Sequence, residues 1–128
     1  MTDKVVDASV IVALLFNELT QESIVPRLRG SLLHAPTLLE FEVANACLKK
    51  VRAAPGERQA LLGAFSLLDE LAIVLQTIDL ADAIALAERT KLSLYDASYL
   101  WLARALGAEL VTLDGKLASA DEALGRST

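Results

Sequence analysis

Short apolar blocks alternate along this chain with longer stretches in which apolar positions recur at helical spacing. Lys4-Val5-Val6-Asp7 reads as a short buried strand ending at an acid, and Ser9 to Phe16 as an apolar helix. A polar turn from Asn17 to Thr20 follows, then a short helix from Glu22 to Leu28, stopped near Gly30. Leu32 to Ala35 predicts a second strand closed by Pro36. Thr37 to Ala53 is the clearest helix, opened by the capping-box pattern Thr37-x-x-Glu40 and ended before Pro55-Gly56. Glu57 to Leu71 resumes as helix, and Ile73-Val74-Leu75 is of strand type. Asp79 caps a helix running to Thr90, and Ser93-x-x-Asp96 opens another that ends at Gly107. Leu110 to Leu113 predicts a last strand with Asp114-Gly115 directly after it, then a helix from Lys116 to Leu124 and a frayed end.

Strands alternating with helices imply parallel β-α-β units with right-handed crossovers, hence an α/β fold. In open parallel sheets ligands collect beyond the carboxyl ends of the strands, which directs attention to acids placed just after strands. The length, 128 residues, is that of one domain, 1–128, and hydrophobic residues at 54% supply its core. Cys47 is the only cysteine, so no intrachain disulfide forms, which fits a reducing compartment. The start lacks the pattern of a signal peptide, and the longest apolar run, Val10 to Phe16, is far short of the ~20 residues that cross a bilayer. The expectation is a soluble cytoplasmic protein with no membrane partner. Its net charge of −5 argues against a general nucleic-acid coat protein, but not against a nuclease that meets phosphate through metal ions.

The acids carry the chemistry. Asp7 ends the first strand and either caps the next helix or faces a ligand. Asp114 has the same address after the last strand, where Asp-Gly is also an ordinary turn pair. Glu40 and Glu42 lie about 200° apart around one helix and cannot face one site. Glu40 has a task as the third residue of the capping box, whereas Glu42 begins a polar stripe with Asn45, Lys49 and Arg52. That stripe, spread over an arc of about 80°, is either a solvated face or the wall of a cleft. Asp96 closes a capping box with Ser93, a role compatible with a second one as a ligand. Asp79 and Asp82 read as helix-start residues. His34 is the only histidine, which disfavours triads and zinc sites, and it reads as structural. Cys47 reads as a packed thiol, and Tyr95, Tyr99 and Trp101 as core or dimer contacts.

Four stretches together resemble the PIN-domain family, and most closely its VapC-type toxins. They are Val5-Val6-Asp7-Ala8-Ser9, Ala35-Pro36 with Glu42-Val43-Ala44-Asn45-Ala46, Tyr95-Asp96-Ala97-Ser98-Tyr99-Leu100, and Leu110-Val111-Thr112-Leu113-Asp114. The resemblance spans nearly the whole chain and selects Glu42 over Glu40. It implies a three-layer α/β/α fold with a short central parallel sheet. It also implies that Asp7, Glu42, Asp96 and Asp114 are the catalytic, metal-holding acids, with Ser9, Asn45 and Thr112 supporting them. Lys49 and Arg52, from the basic region Lys49, Lys50, Arg52 and Arg58, are either solvated surface or contacts to RNA phosphates. The implied activity is an endoribonuclease leaving a 3′-hydroxyl and a 5′-phosphate. The implied partners are RNA, a VapB-type antitoxin and a second copy of the chain.

Acids converging from distant segments repel one another unless a cation neutralises them. An all-oxygen ligand set without His or Cys suits Mg²⁺ or Mn²⁺ rather than zinc. A pair of such ions clamps the attacking and leaving oxygens of an in-line displacement. Two rivals stand beside this reading. A receiver- or phosphatase-like domain wants a second acid two positions after the first, where this chain has Ser9. A non-catalytic interaction module of the same fold is opposed by the presence of all four acids.

Overall fold

The computed structural model describes residues 1–18 and 21–125. Leu19 and Thr20 of the expected polar turn, and the expected frayed end beyond Gly125, lie outside them. The elements run β1 (Thr2–Val6), α1 (Ala8–Leu15), α2 (Gln21–Leu28), β2 (Ser31–Pro36), α3 (Leu39–Ala53), α4 (Arg58–Ser66), β3 (Val74–Gln76), α5 (Leu80–Thr90), α6 (Leu94–Leu106), β4 (Glu109–Val111) and α7 (Gly115–Leu124). Short 3₁₀ turns, Pro55–Glu57 and Leu67–Leu71, flank α4.

The four strands form one sheet in the order β3-β2-β1-β4, and every pairing is parallel. Its centre is apolar on both faces, as parallel sheets require: Val5, Val6, Ala35 and Val111 are fully buried. The chain walks outward from β1 to β3 through α1–α4, then reverses and returns through α5 and α6 to place β4 on the other side of β1. Right-handed crossovers put those two helical sets on opposite faces, giving three layers. Contacts agree: α1 packs with α2 and α3, whereas α6 packs on β1 and β2 and against α5 and α7. The reversal makes the carboxyl ends of β1 and β4 the switch point of the sheet, the natural place for a ligand.

Three expectations need correction. Thr37 does not cap α3: the helix starts at Leu39, Leu38 holds the cap position, and no side chain caps it. The backbone N–H of Thr37 is instead spent on Gln76 O, extending the pairing with β3. Glu40, deprived of its capping partner, is simply exposed. The helix expected over Glu57 to Leu71 is α only to Ser66 and tightens to 3₁₀ before Ala72, whose φ of 52° stops it. Finally, β4 ends at Val111 rather than Leu113, for a reason that lies in the site itself.

Candidate active site at the carboxyl edge of the sheet

Asp7 follows β1 directly and is 5% exposed. It caps α1, its Oδ1 accepting from the Val10 N–H at 3.3 Å and from the Ser9 hydroxyl at 2.6 Å. Its Oδ2 accepts from the Thr112 hydroxyl at 2.5 Å. Each hydroxyl has one proton, and both protons go to Asp7. Their lone pairs then take the next loop: Ser9 Oγ accepts the Leu113 N–H and Thr112 Oγ1 the Asp114 N–H, both at 2.9 Å. The Leu113 N–H, which would be the next to pair with β1, is therefore lost to the sheet ladder, which is why β4 stops at Val111. The turn after β1 and the loop after β4 are clipped together through two hydroxyls.

Asp114 arrives at the end of that clipped loop and caps α7, its Oδ1 accepting from Lys116 N at 2.9 Å and Leu117 N at 3.2 Å. Asp96 lies in the first turn of α6, where its N–H donates to Ser93 Oγ at 3.1 Å. The capping box is half-formed, because the Asp96 carboxylate itself accepts no hydrogen bond among the described residues. Glu42, half-buried in the first turn of α3, accepts the Tyr99 hydroxyl at 2.6 Å. Caps and clips thus leave oxygens uncommitted on every acid: Oδ2 of Asp114, Oε2 of Glu42, both oxygens of Asp96, and a lone pair on Oδ2 of Asp7.

Electrostatics ties these acids into one cluster. Burial pushes the Asp7 carboxyl above its ordinary range, against the lowering effect of its hydrogen bonds from Ser9, Thr112 and Val10, and Asp114 pushes it further. Burial also raises Glu42, with Asp96 and Asp7 adding to the rise. Asp96 is raised by burial, then by Asp114 and Asp7, and Lys116 partly offsets this. Asp7, Glu42 and Asp96 each feel acids that are distant in sequence, so the fold brings these like charges within electrostatic reach of one another. Burial and the Glu42 contact hold the Tyr99 hydroxyl protonated far above the usual phenol range.

Among the described residues, no three carboxyl, imidazole or thiol groups form a finished cage around one point. Holding an ion requires these carboxylates to draw in. The donor chemistry nonetheless fits a hard divalent cation, since every uncommitted atom is a carboxylate oxygen.

An open groove of about 540 Å³ runs beside the cluster, lined by Ser9, Glu18, Glu42, Asn45 and Lys49 among others. The polar stripe on α3 is therefore a groove wall as far as Lys49, while Arg52 is exposed outside the lining. Asn45 joins that wall rather than the hydrogen-bonded clip of Ser9 and Thr112. Asp7, Asp96 and Asp114 do not line the groove, which leads up to the cluster on the Glu42 side. Lys50, on the same helix, is committed to Glu18 at 3.1 Å.

Tyr99 is the core residue that the sequence predicts, but its bond to Glu42 is not foreseen. Its signal is the spacing of three from Asp96, which puts both on one face of α6, together with the need of a buried phenol for a partner. The structural readings of His34 and Cys47 hold. His34 Nε2 lies 2.9 Å from Asp3 Oδ1 and its Nδ1 3.1 Å from Gln76 Nε2, and the Cys47 thiol is buried against Leu61 O. No helix among the described residues is long and apolar enough to cross a membrane.

Comparison with known proteins bears on the fold and the family. Ribonuclease VapC3 of Pyrobaculum aerophilum is 34% identical over 128 aligned residues, covering 94% of this chain and 95% of that protein. The crystal structure of PAE2754 from Pyrobaculum aerophilum superposes with a TM-score of 0.77 at 26% identity, covering 96% of this chain and 92% of that one. The model of the PIN domain family matches residues 4–123, and with it the chain belongs to that family.

Proposed function

We propose that this chain is a divalent-metal-dependent endoribonuclease, the toxin of a VapBC-type toxin–antitoxin pair, acting in the cytoplasm. One observation supports the reading: carboxylates from four separate segments lie within electrostatic reach of one another near the carboxyl ends of a parallel sheet, and three of them are held above their ordinary pKa. The name of the VapC3 relative and the family match support the same chemistry.

The reaction adds water across an RNA P–O3′ bond, giving a 3′-hydroxyl and a 5′-phosphate. Asp7, Glu42, Asp96 and Asp114 would hold Mg²⁺ or Mn²⁺, which when bound supplies the positive charge that offsets acids and phosphate and lowers the pKa of water. The chain's own groups do the placing. Asp7 is fixed in three hydrogen bonds, so it presents its remaining lone pair in one direction. Ser9 and Thr112 hold the Asp114 loop against Asp7. Lys49 offers a cation along the groove to the RNA backbone, and Arg52 extends that path beyond it. The groove beside Glu42 is also a natural target for an inhibiting antitoxin segment, and we infer a homodimer as the working form.

The phosphatase-like rival finds no support, because the position two after Asp7 is a hydroxyl already bonded to it. The test is cleavage of structured RNA by purified protein with Mg²⁺ or Mn²⁺. Products with 5′-phosphate ends that vanish on adding EDTA are expected; cleavage that continues in EDTA would remove the metal from the mechanism.

A further inference from the structure

Tyr99 is 1% exposed, yet it carries a hydroxyl into a layer where phenylalanine would fill the same volume. A buried hydroxyl is costly unless it is bonded, so packing alone does not call for it. Its partner is Glu42 Oε1, at 2.6 Å and 57 residues away in sequence. That distance is typical of a hydroxyl donating to an ionised carboxylate, among the stronger hydrogen bonds a protein makes.

The contact joins helices of different layers. Glu42 rides on α3, and Tyr99 rides on α6 three residues after Asp96, so both project from the same side of that helix. Glu42 has no cap, clip or ion pair of its own, whereas Asp7 and Asp114 are each locked by at least two hydrogen bonds. A glutamate side chain is also one bond longer than an aspartate, and without a partner it samples more rotamers. The hydroxyl of Tyr99 is what fixes it.

We propose that Tyr99 is a positioning residue for the metal site: its buried hydroxyl clamps Glu42 Oε1 and leaves Oε2 as the oxygen available to a divalent ion, in register with Asp96. This rests on the reading of Glu42 as a metal ligand given above. The loss on removing the hydroxyl is that of a supporting group around a metal, about 10- to 100-fold in ion affinity.

The experiment is a Mn²⁺ titration of the purified full chain without RNA, by calorimetry, beside thermal melts in EDTA. Tyr99→Phe is expected to weaken Mn²⁺ binding by about 10- to 100-fold while its EDTA melt stays near wild type. Glu42→Ala is expected to weaken it at least as much, and adding Tyr99→Phe to Glu42→Ala is expected to cost nothing further, since the hydroxyl acts only through Glu42. In RNA cleavage, Tyr99→Phe is expected to lower kcat at fixed metal with little change in KM. Wild-type Mn²⁺ affinity in Tyr99→Phe, with loss in Glu42→Ala, overturns the role of Tyr99 alone. Wild-type affinity in Glu42→Ala overturns the ligand reading beneath it. A loss in Tyr99→Phe that persists undiminished in the Glu42→Ala background assigns the effect to packing and also overturns the proposal.

Discussion

The two ends of the sheet treat charge in opposite ways. Near the amino edge, Lys4 of β1 lies opposite Glu109 of β4 in register, with Nζ 3.6 Å from Oε1, and Arg27 at the end of α2 reaches the other oxygen at 2.9 Å. The Lys4 ammonium also donates to the Arg27 carbonyl. There the acid has two cations. At the carboxyl edge four acids share the field of one another, and the cation that Asp96 feels is Lys116. A fold that pairs charge a few residues away has not left these acids unpaired for want of bases. Uncompensated like charges destabilise the folded state and persist where a ligand supplies the missing sign. The amino edge ties strands together, while the carboxyl edge, on the function proposed above, draws its counter-charge from outside.

The sharpest way to break this contrast is to neutralise one acid. Asp96→Asn keeps the shape of the side chain, and the Ser93 cap uses only its backbone. Cleavage is expected to fall by about 10³-fold or more, while the EDTA melt stays at or above that of wild type, because a repelled charge has gone. Initial rates on a labelled RNA and paired melts check both halves; wild-type cleavage would remove Asp96 from the site. Asp7→Asn should lose activity equally, but its three hydrogen bonds make its stability a less clean readout.

Next in size is the response to the ion itself. At Mn²⁺ one hundred times its dissociation constant, binding stabilises the fold by about 2.7 kcal/mol. For a chain of this size that raises the melting temperature on the order of 10 °C. EDTA should reverse the rise, and Asp96→Asn should blunt it. An unchanged melt at saturating metal would mean that the acids do not bind it.

Much of this arrangement is legible in the sequence because its causes are local. The buried strands are apolar runs, and Asp7, Asp79 and Ser93 sit where helices begin and do cap them. What could not be read depends on partners far along the chain. Whether β4 ends at Val111 or Leu113 is decided by Ser9, 104 residues before Leu113. Thr37 looks like an N-cap until Gln76 claims its N–H. The cap that would occupy Glu40 does not form, so capping no longer separates Glu40 from Glu42; what separates them in the structure is that Glu40 is exposed while Glu42 is half-buried and bonded to the Tyr99 hydroxyl. Periodicity marks which face of α3 is polar, but only the fold turns part of that face into a groove wall.

The pH dependence of metal-free stability should separate the two edges again. Asp7, Glu42 and Asp96 have folded-state pKa values raised above their ordinary 3.8 and 4.5. Between the unfolded and folded values the native state binds more protons than the unfolded one, so stability falls as pH rises. Their contribution is fully present below the ordinary carboxylate range and is lost as pH climbs through the raised values. In EDTA, denaturant midpoints should therefore decline across that window, and Asp96→Asn should flatten the decline. Saturating Mn²⁺ should reverse it, because the ion prefers the ionised acids. A metal-free midpoint that rises throughout would mean the acids are already compensated.

The smallest effect belongs to the amino edge. Arg27→Gln removes one arm of the pair on Glu109 and leaves Lys4 in place. Both partners are well solvated, Arg27 at 47% and Glu109 at 34% side-chain exposure. Exposed pairs of this kind contribute about 0–1 kcal/mol, and 1 M salt, with a screening length of about 3 Å, should erase most of that. The variant should melt within a few degrees of wild type at low salt and coincide with it at high salt. RNA cleavage and Mn²⁺ affinity should not move, since the charge removed lies at the far end of β1 and β4 from Asp7 and Thr112. If either moved, the amino edge would be acting through those strands on the clipped loop, and the two edges would be one electrostatic unit rather than two.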